Sequence, residues 1–368
     1  MSIETRWEYV VDPLLAFYDS QRRILPWREE PTPYHVWVSE IMLQQTRVEA
    51  VKAYYKRFMD ALPDITSLAK AEEEMLLKLW EGLGYYNRVR NLHKAAQIIV
   101  EQYNGEMPDS YEEIIRLPGI GSYTAGAIAS IAFGICRPAV DGNVLRVLSR
   151  LRGDSRDIMQ QSVRTSVEQE LLEVIPMERP GDFNQALMEL GAMVCTPNGA
   201  PQCDRCPWEK VCVAHGERKE LQFPVKAPKK ERVIEEKTIL IIRDGERAAI
   251  RKRPSSGLLA GMYEFPSVAG HLSEDEVLSY LKEKGLSAIY IAELPKSKHI
   301  FSHREWHMTG YAIKVDELAD KSWDDSLIFV DTKEVKEQYP IPTAYQVYRK
   351  AFLEDEEKYS IERRGTRK

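Results

Sequence analysis

Four of the five cysteines fall in one run, Cys195-x7-Cys203-x2-Cys206-x5-Cys212. Thiolates converging from so short a segment are soft anionic ligands for tetrahedral zinc or for a [4Fe–4S] cluster, and spacing alone does not choose between them. A secreted disulfide framework is excluded by the small number of cysteines and by their clustering. Glu40 lies in Val36-Trp-Val-Ser-Glu40-Ile-Met-Leu-Gln-Gln45-Thr46, flanked by Trp37, Ile41 and Leu43. A carboxyl withdrawn from water by such neighbours keeps its proton to higher pH, which suits a general acid. Asp141, in Asp141-Gly142-Asn143, opens the apolar stretch Val144-Leu-Arg-Val and by itself reads as a helix N-cap.

Two more segments carry chemistry. In Leu117-Pro-Gly-Ile-Gly-Ser-Tyr-Thr-Ala125, Gly119 and Gly121 separate a helix ending near Arg116 from one starting near Ser122. Such a turn either merely joins two helices or brings backbone N–H groups and a helix N-terminus up to a phosphate. The stretch Trp80 to Lys94 places Tyr85, Tyr86, Arg88 and Arg90 together with no acid between Asn87 and Lys94. That pattern suits either base stacking with phosphate binding or a capped helix with inward-packed aromatics.

These residues need elements to hold them. From Trp7 to about Val194, apolar residues recur at helical spacing in Tyr34–Met59, Met75–Trp80, Asn91–Tyr103, Thr124–Phe133, Val144–Leu151, Val163–Ile175 and Phe183–Val194, predicting an all-α region. Residues 216–237 are rich in Lys and Glu, contain Pro224 and Pro228, and read as a linker. Beyond it a hairpin is expected at Thr238–Ile242 and Ala248–Ile250 around Asp244-Gly245. A helix at Glu274–Lys284 and strands at Ile289–Leu294, Trp306–Val315 and Leu327–Val330 complete an α+β domain. The expected domains are therefore 1–215, the linker 216–237, 238–353, and a disordered tail 354–368.

The chain of 368 residues is 43% hydrophobic and carries a net charge of −6, which excludes disorder and argues against a protein coated with nucleic acid. The acidic excess lies in residues 1–226. Phosphate binding then requires a local basic face, for which Arg88, Arg90, Lys94, Arg146, Arg150, Arg205 and Lys210 are the candidates. No apolar run is long enough to span a bilayer, and the charged N-terminus lacks a signal-peptide core, so a cytoplasmic protein is expected, nucleoid-associated when bound to DNA.

Together these segments resemble the helix–hairpin–helix DNA glycosylases with an iron–sulfur cluster, the superfamily of endonuclease III, and within it the adenine-removing branch. The marks are Leu25-Pro-Trp-Arg28, the Val38 to Thr46 stretch, Trp80 to Leu92, Leu117 to Ala125, Val140 to Arg146, Asn184-Gln-Ala-Leu to Cys212, Gly257 to Pro266, and Phe301-Ser-His303. The first cysteine gap is seven residues where the family has six.

The resemblance implies a monomeric enzyme that flips adenine, mispaired with 8-oxoguanine or guanine, out of double-stranded DNA and hydrolyses its glycosidic bond. It implies that Glu40 protonates the base while Asp141 stabilises the oxocarbenium-like sugar, with Tyr123 and Asn143 completing the catalytic set. Arg28 and Gln185 would bind the substrate base. Gln45, Thr46, Leu83, Tyr85, Arg88, Gly119 and Gly121 would contact DNA, with the helix–hairpin–helix at 114–133. A [4Fe–4S] cluster would sit on Cys195, Cys203, Cys206 and Cys212. The C-terminal domain resembles a Nudix module without the full metal-binding box, which implies recognition of 8-oxoguanine by Phe301, Ser302 and His303 rather than hydrolysis. In the lyase branch the residue two past the second hairpin glycine is a lysine; here it is Tyr123, implying a monofunctional glycosylase. Two alternatives are a bifunctional glycosylase and lyase of the endonuclease III type, and a non-catalytic lesion-binding scaffold.

Overall fold

The structure, a computed structural model, describes residues 7–227, 231–316 and 327–354. The expected tail 354–368 therefore lies outside the described residues except at Glu354. The helices of the first half are α1 (Glu8–Gln21), α2 (Pro26–Glu29), α3 (Pro33–Leu43), α4 (Val48–Ala61), α5 (Ile65–Lys70), α6 (Glu73–Leu79) and α7 (Asn87–Tyr103). They continue as α8 (Tyr111–Ile114), α9 (Ser122–Phe133), α10 (Gly142–Arg152), α11 (Gln161–Val174), α12 (Pro180–Glu189) and α13 (Val213–Gly216). Then come β1 (Val233–Asp244), β2 (Arg247–Lys252), β3 (Tyr263–Glu264), β4 (Ser267–Ala269), α14 (Glu274–Glu283), β5 (Ala288–Ile300), β6 (Arg304–Val315), β7 (Leu327–Val330) and α15 (Thr332–Glu337).

Contacts divide the chain into two units, one of Met1–Ala71 with Arg90–Lys229 and the other of Glu72–Val89 with Lys230–Lys368. The expected 1–215 domain thus contributes a segment, residues 72–89, to the C-terminal unit.

The helical unit is packed around short side chains. α9 is apolar all round, with Ala125, Ala127, Ile128 and Ala129 buried, so it runs through the interior rather than over the surface. A Cβ at Gly126 would lie 2.2 Å from the carbonyl oxygen of Pro138, and one at Gly181 would lie 2.8 Å from that of Ser130. Only glycine allows this approach, which clamps α9 between α12 and the segment leading to Asp141. The expected single helix Tyr34–Met59 is instead α3 and α4. It breaks at Gln44 to Arg47, where Gln45 takes the left-handed conformation at φ 61°. The expected helix Phe183–Val194 likewise starts at Pro180 and ends in a π-turn at Leu190–Val194. The 216–237 linker carries structure of its own, including a 3₁₀ turn at Glu220–Gln222 and the first residues of β1.

In the C-terminal unit the sheet runs in the order β3-β2-β1-β6-β5, with β4 also on β1 and β7 on β2. β1 and β6 are parallel and the other pairs antiparallel. Alternate residues of β1 face opposite sides, and both sides are apolar. Ile239 and Ile241 join Trp306, Met308, Tyr345, Tyr348 and Phe352 on one face, while Leu240 and Ile242 join Val277 and Leu281 of α14 on the other. No helix among the described residues is long and apolar enough to cross a membrane.

Candidate active site

The helical unit holds a cavity of about 690 Å³ whose lining draws together residues far apart in sequence. Arg28, Glu40, Gln45, Thr46, Tyr123, Asp141, Asn143 and Gln185, each singled out from the sequence, all line it. α3 delivers Glu40: Thr32 caps this helix by accepting from His35 N, Pro33 occupies its first turn, and its apolar face buries the carboxyl at 5% exposure. Tyr123, on the second residue of α9, donates its hydroxyl to Glu40 Oε2 at 2.5 Å. Burial pushes the Glu40 carboxyl up to about 7, the neighbouring Asp141 charge adding to the rise, against the opposing pull of the Tyr123 hydrogen bond and the Arg28 charge. Burial also raises the Tyr123 phenol well above its usual range, so it stays a neutral donor.

Asp141 is the N-cap of α10, as the sequence suggests, and the cap fixes its carboxylate. Oδ1 accepts from Asn143 N at 2.8 Å and Val144 N at 2.7 Å, and Oδ2 accepts from Asn143 Nδ2 at 2.7 Å. The cavity thus holds two acids in different environments, one buried with a raised proton affinity and one fixed by three hydrogen-bond donors.

α10 extends this order to the cysteine run. Arg146, one turn beyond Asn143, donates Nη1 to Asn143 Oδ1 at 2.8 Å, Nη2 to Gly191 O at 2.9 Å and Nε to Cys195 O at 3.0 Å. Arg150, one turn further, donates Nη1 to Thr196 O at 2.8 Å and to Cys195 Sγ at 3.3 Å. Both arginines are buried, so the expectation that they join a basic surface is corrected: their charges serve the interior. Cys195, Cys203, Cys206 and Cys212 line one small cavity with Arg150, His215 and Glu220, and all are free thiols. Burial raises the thiols of Cys203, to about 11, and Cys206, to about 12. Four thiols gathered without disulfides, where burial disfavours bare thiolates, fit a soft cationic group that these sulfurs would ligate.

The hairpin residues Gly119 and Gly121 lie outside the cavity lining. Gly119 takes φ +77°, and a Cβ there would strike Asn91 Cβ at 2.6 Å. Ser122, next in the chain, donates its hydroxyl to Glu168 Oε1 at 2.8 Å.

The remaining expected DNA contacts belong to the C-terminal unit. Phe301, Ser302 and His303 form the turn between β5 and β6, closed by Phe301 N donating to Arg304 O at 2.9 Å. Phe301 packs edge-on against Trp306 with centroids 4.8 Å apart, while Ser302 and His303 are exposed. Tyr85, exposed and at φ 49°, brings its hydroxyl within 3.3 Å of Ser302 Oγ. Leu83 is buried, and Arg88 folds back to donate to Leu83 O and Gly84 O, both at 3.1 Å. Three of the four acids of α14, Glu274, Asp275 and Glu276, sit in its first turn, where Glu276 closes a capping box with Ser273.

Sequence reasoning missed part of the cavity. Glu189, fully buried on α12, accepts from Arg23 Nε at 2.7 Å, Arg23 Nη2 at 2.8 Å and Arg28 Nη2 at 2.9 Å. Burial works to raise its carboxyl, but the two guanidiniums hold it below the usual range. The available signal was a lone Glu in the apolar run Ala186-Leu-Met-Glu-Leu-Gly, the same signal that marked Glu40. Arg47, Arg164 and Met188 also line the cavity without having been singled out.

Comparison with known proteins gives the family of the chain. Residues 38–177 match the HhH-GPD superfamily of base excision DNA repair proteins, and residues 238–351 match the NUDIX domain. The chain is 35% identical over 315 residues to the adenine DNA glycosylase of Buchnera aphidicola subsp. Acyrthosiphon pisum, an alignment covering 85% of this chain and 89% of the relative. The chain belongs to the adenine DNA glycosylase family. The adenine DNA glycosylase of Mus musculus is 37% identical over 362 residues, covering 83% of this chain and 70% of that one. Among solved structures, a non-covalent endonuclease III–DNA complex superimposes with a TM-score of 0.51 at 28% identity, covering 59% of this chain and 99% of that one. This family member is an enzyme of base-excision repair, with a helical glycosylase unit followed by a Nudix-like sheet unit.

Proposed function

We propose that this enzyme removes adenine mispaired with 8-oxoguanine or guanine from double-stranded DNA, leaving an abasic site. The observation that carries the reading is the shared cavity of Glu40 and Asp141, one carboxyl buried and poised to hold a proton near neutrality and the other held in place by three hydrogen-bond donors. Extrusion places the base against Glu40, Tyr123, Arg28 and Gln185, and the sugar against Asp141 and Asn143. Glu40 transfers its proton to the adenine ring, so the glycosidic bond breaks with its electron pair leaving on a neutral base. The Asp141 carboxylate stabilises the positive charge left on the sugar. Water then adds to the anomeric carbon and returns a proton to Glu40.

No lysine lines the cavity among the described residues, which supports hydrolysis over lyase chemistry through an amine. The donor set of Cys195, Cys203, Cys206 and Cys212 would hold a [4Fe–4S] cluster, whose contribution is to order the loop that Arg146 and Arg150 tie to α10. Ser302 and Tyr85 would meet the base opposite adenine. Single-turnover assays on adenine:8-oxoguanine, adenine:guanine and adenine:thymine duplexes test the reading. Adenine release from the first two without a borohydride-trapped adduct is expected, and tight mispair binding with no release would refute it.

A further inference from the structure

Four arginines line the cavity, and they are not equally committed. Arg23 and Arg28 share the buried Glu189 carboxylate. Arg164, half-buried on α11, makes one hydrogen bond, from Nη1 to the carbonyl oxygen of Val140, and no carboxylate pairs with it among the described residues. Glu168, one turn further along the same helix, is taken by Ser122 instead. The Asp141 carboxylate is likewise satisfied by Asn143 and Val144 rather than by Arg164. A guanidinium has five N–H donors in a flat fork, and most of those of Arg164 remain to be used.

The tether decides where that fork sits. Val140 immediately precedes Asp141, the group against which the extruded sugar must lie. A cation held at that carbonyl, and lining the same cavity, is within reach of the backbone on one side of the flipped nucleotide, since each deoxyribose carries a phosphodiester at either end. The fork geometry matches two phosphate oxygens, and a net-acidic protein has particular need of an uncompensated cation here. We propose that Arg164 grips a phosphodiester adjoining the extruded deoxyadenosine, setting the sugar on Asp141. The proposal rests on the adenine glycosylase reading of the cavity.

The test uses the full-length, metal-loaded protein and a duplex carrying 2′-fluoro-deoxyadenosine opposite 8-oxoguanine, whose fluorine disfavours the oxocarbenium ion and blocks excision. Dissociation constants are measured across a potassium chloride series with ordinary phosphates, and again with a neutral methylphosphonate placed 5′ or 3′ of the target nucleotide. Arg164→Gln should lower the slope of log affinity against log salt by about 0.9. At one flanking position, methylphosphonate should weaken the wild type roughly tenfold and the variant by less than about twofold. Arg164→Lys, which keeps the charge but not the fork, should retain the salt slope and a methylphosphonate penalty between those of the wild type and Arg164→Gln. A role confined to bracing Val140 would slow excision without moving either readout. An unchanged salt slope in Arg164→Gln, or equal methylphosphonate penalties in wild type and variants at both positions, would overturn the proposal. Adenine release by the wild type from an unmodified duplex is scored separately, so failure of the functional reading is distinguishable from failure of the phosphate grip.

Discussion

At the scale of single residues, the two acids predict opposite behaviour. Asp141→Asn keeps a side-chain oxygen for the α10 cap but removes the carboxylate that the proposed mechanism sets against the sugar. Excision should fall by about 10²–10³-fold while mispair affinity stays near wild type, read by single-turnover kinetics and equilibrium binding. In the proposed mechanism Glu40 acts protonated, so the excision rate should fall as pH rises above about 7. The same shift carries a stability cost with a defined sign. A carboxyl whose folded-state proton affinity is raised stabilises the fold below its ordinary value of 4.5 and loses that stabilisation as pH climbs through about 7. Glu40→Gln removes the ionising group, so it should be inactive yet gain on wild type by about 3 kcal/mol between pH 5 and pH 8 in urea unfolding. Glu40 stood out in the sequence as a carboxyl among apolar neighbours and Asp141 as a helix cap, while Tyr123 and both acids' catalytic roles came only through the family resemblance. Arg23, Glu189 and Arg164 were not legible, since each becomes a site residue only when its helix meets another.

At the scale of elements, α10 links the cavity to the cysteine loop. Asp141 caps it, Asn143 and Arg146 sit one turn apart, and Arg150 reaches the Cys195 sulfur. Arg146→Met would leave Asn143 Oδ1, Gly191 O and Cys195 O without their donor, at about 1–3 kcal/mol for each group that stays buried and unpaired. The expected result is a lower melting temperature together with slower excision and, with the proposed cluster bound, faster loss of iron to a chelator, the last followed by visible absorbance. Helix positions came readily from periodicity, as for α9, α10 and α14. The break between α3 and α4 did not, because apolar spacing continues through it and only the φ of Gln45 shows the turn. Short β3 and β4, two and three residues long, give too little alternation to be read at all.

At the scale of the whole molecule, the segment 72–89 departs from the expected domain pattern. Its partners are in the C-terminal unit: Lys78 Nζ donates to Val335 O at 3.1 Å, Arg349 pairs with Glu81 at 2.8 Å, and Lys252 pairs with Glu74 at 2.8 Å. Composition and linker signals follow the chain and cannot show that a segment between two helices packs with strands more than a hundred and fifty residues later. A chain ending at residue 227 should therefore lose amide protection across 72–89 in hydrogen exchange while α9 and α10 keep theirs. Equal protection of 72–89 in the shortened and full-length chains would contradict the assignment.

The interrupted second unit also orders events on the ribosome. The stretch between Ala71 and Arg90 is synthesised long before its partners, which at roughly 5–20 residues per second emerge tens of seconds later. Until then the nascent protein carries Glu74, Lys78 and Glu81 without the partners that Lys252, Val335 and Arg349 supply in the finished fold. A chaperone arriving during that interval has a defined stretch to shelter, and a stop codon ahead of Lys252 would leave that stretch without these partners for good.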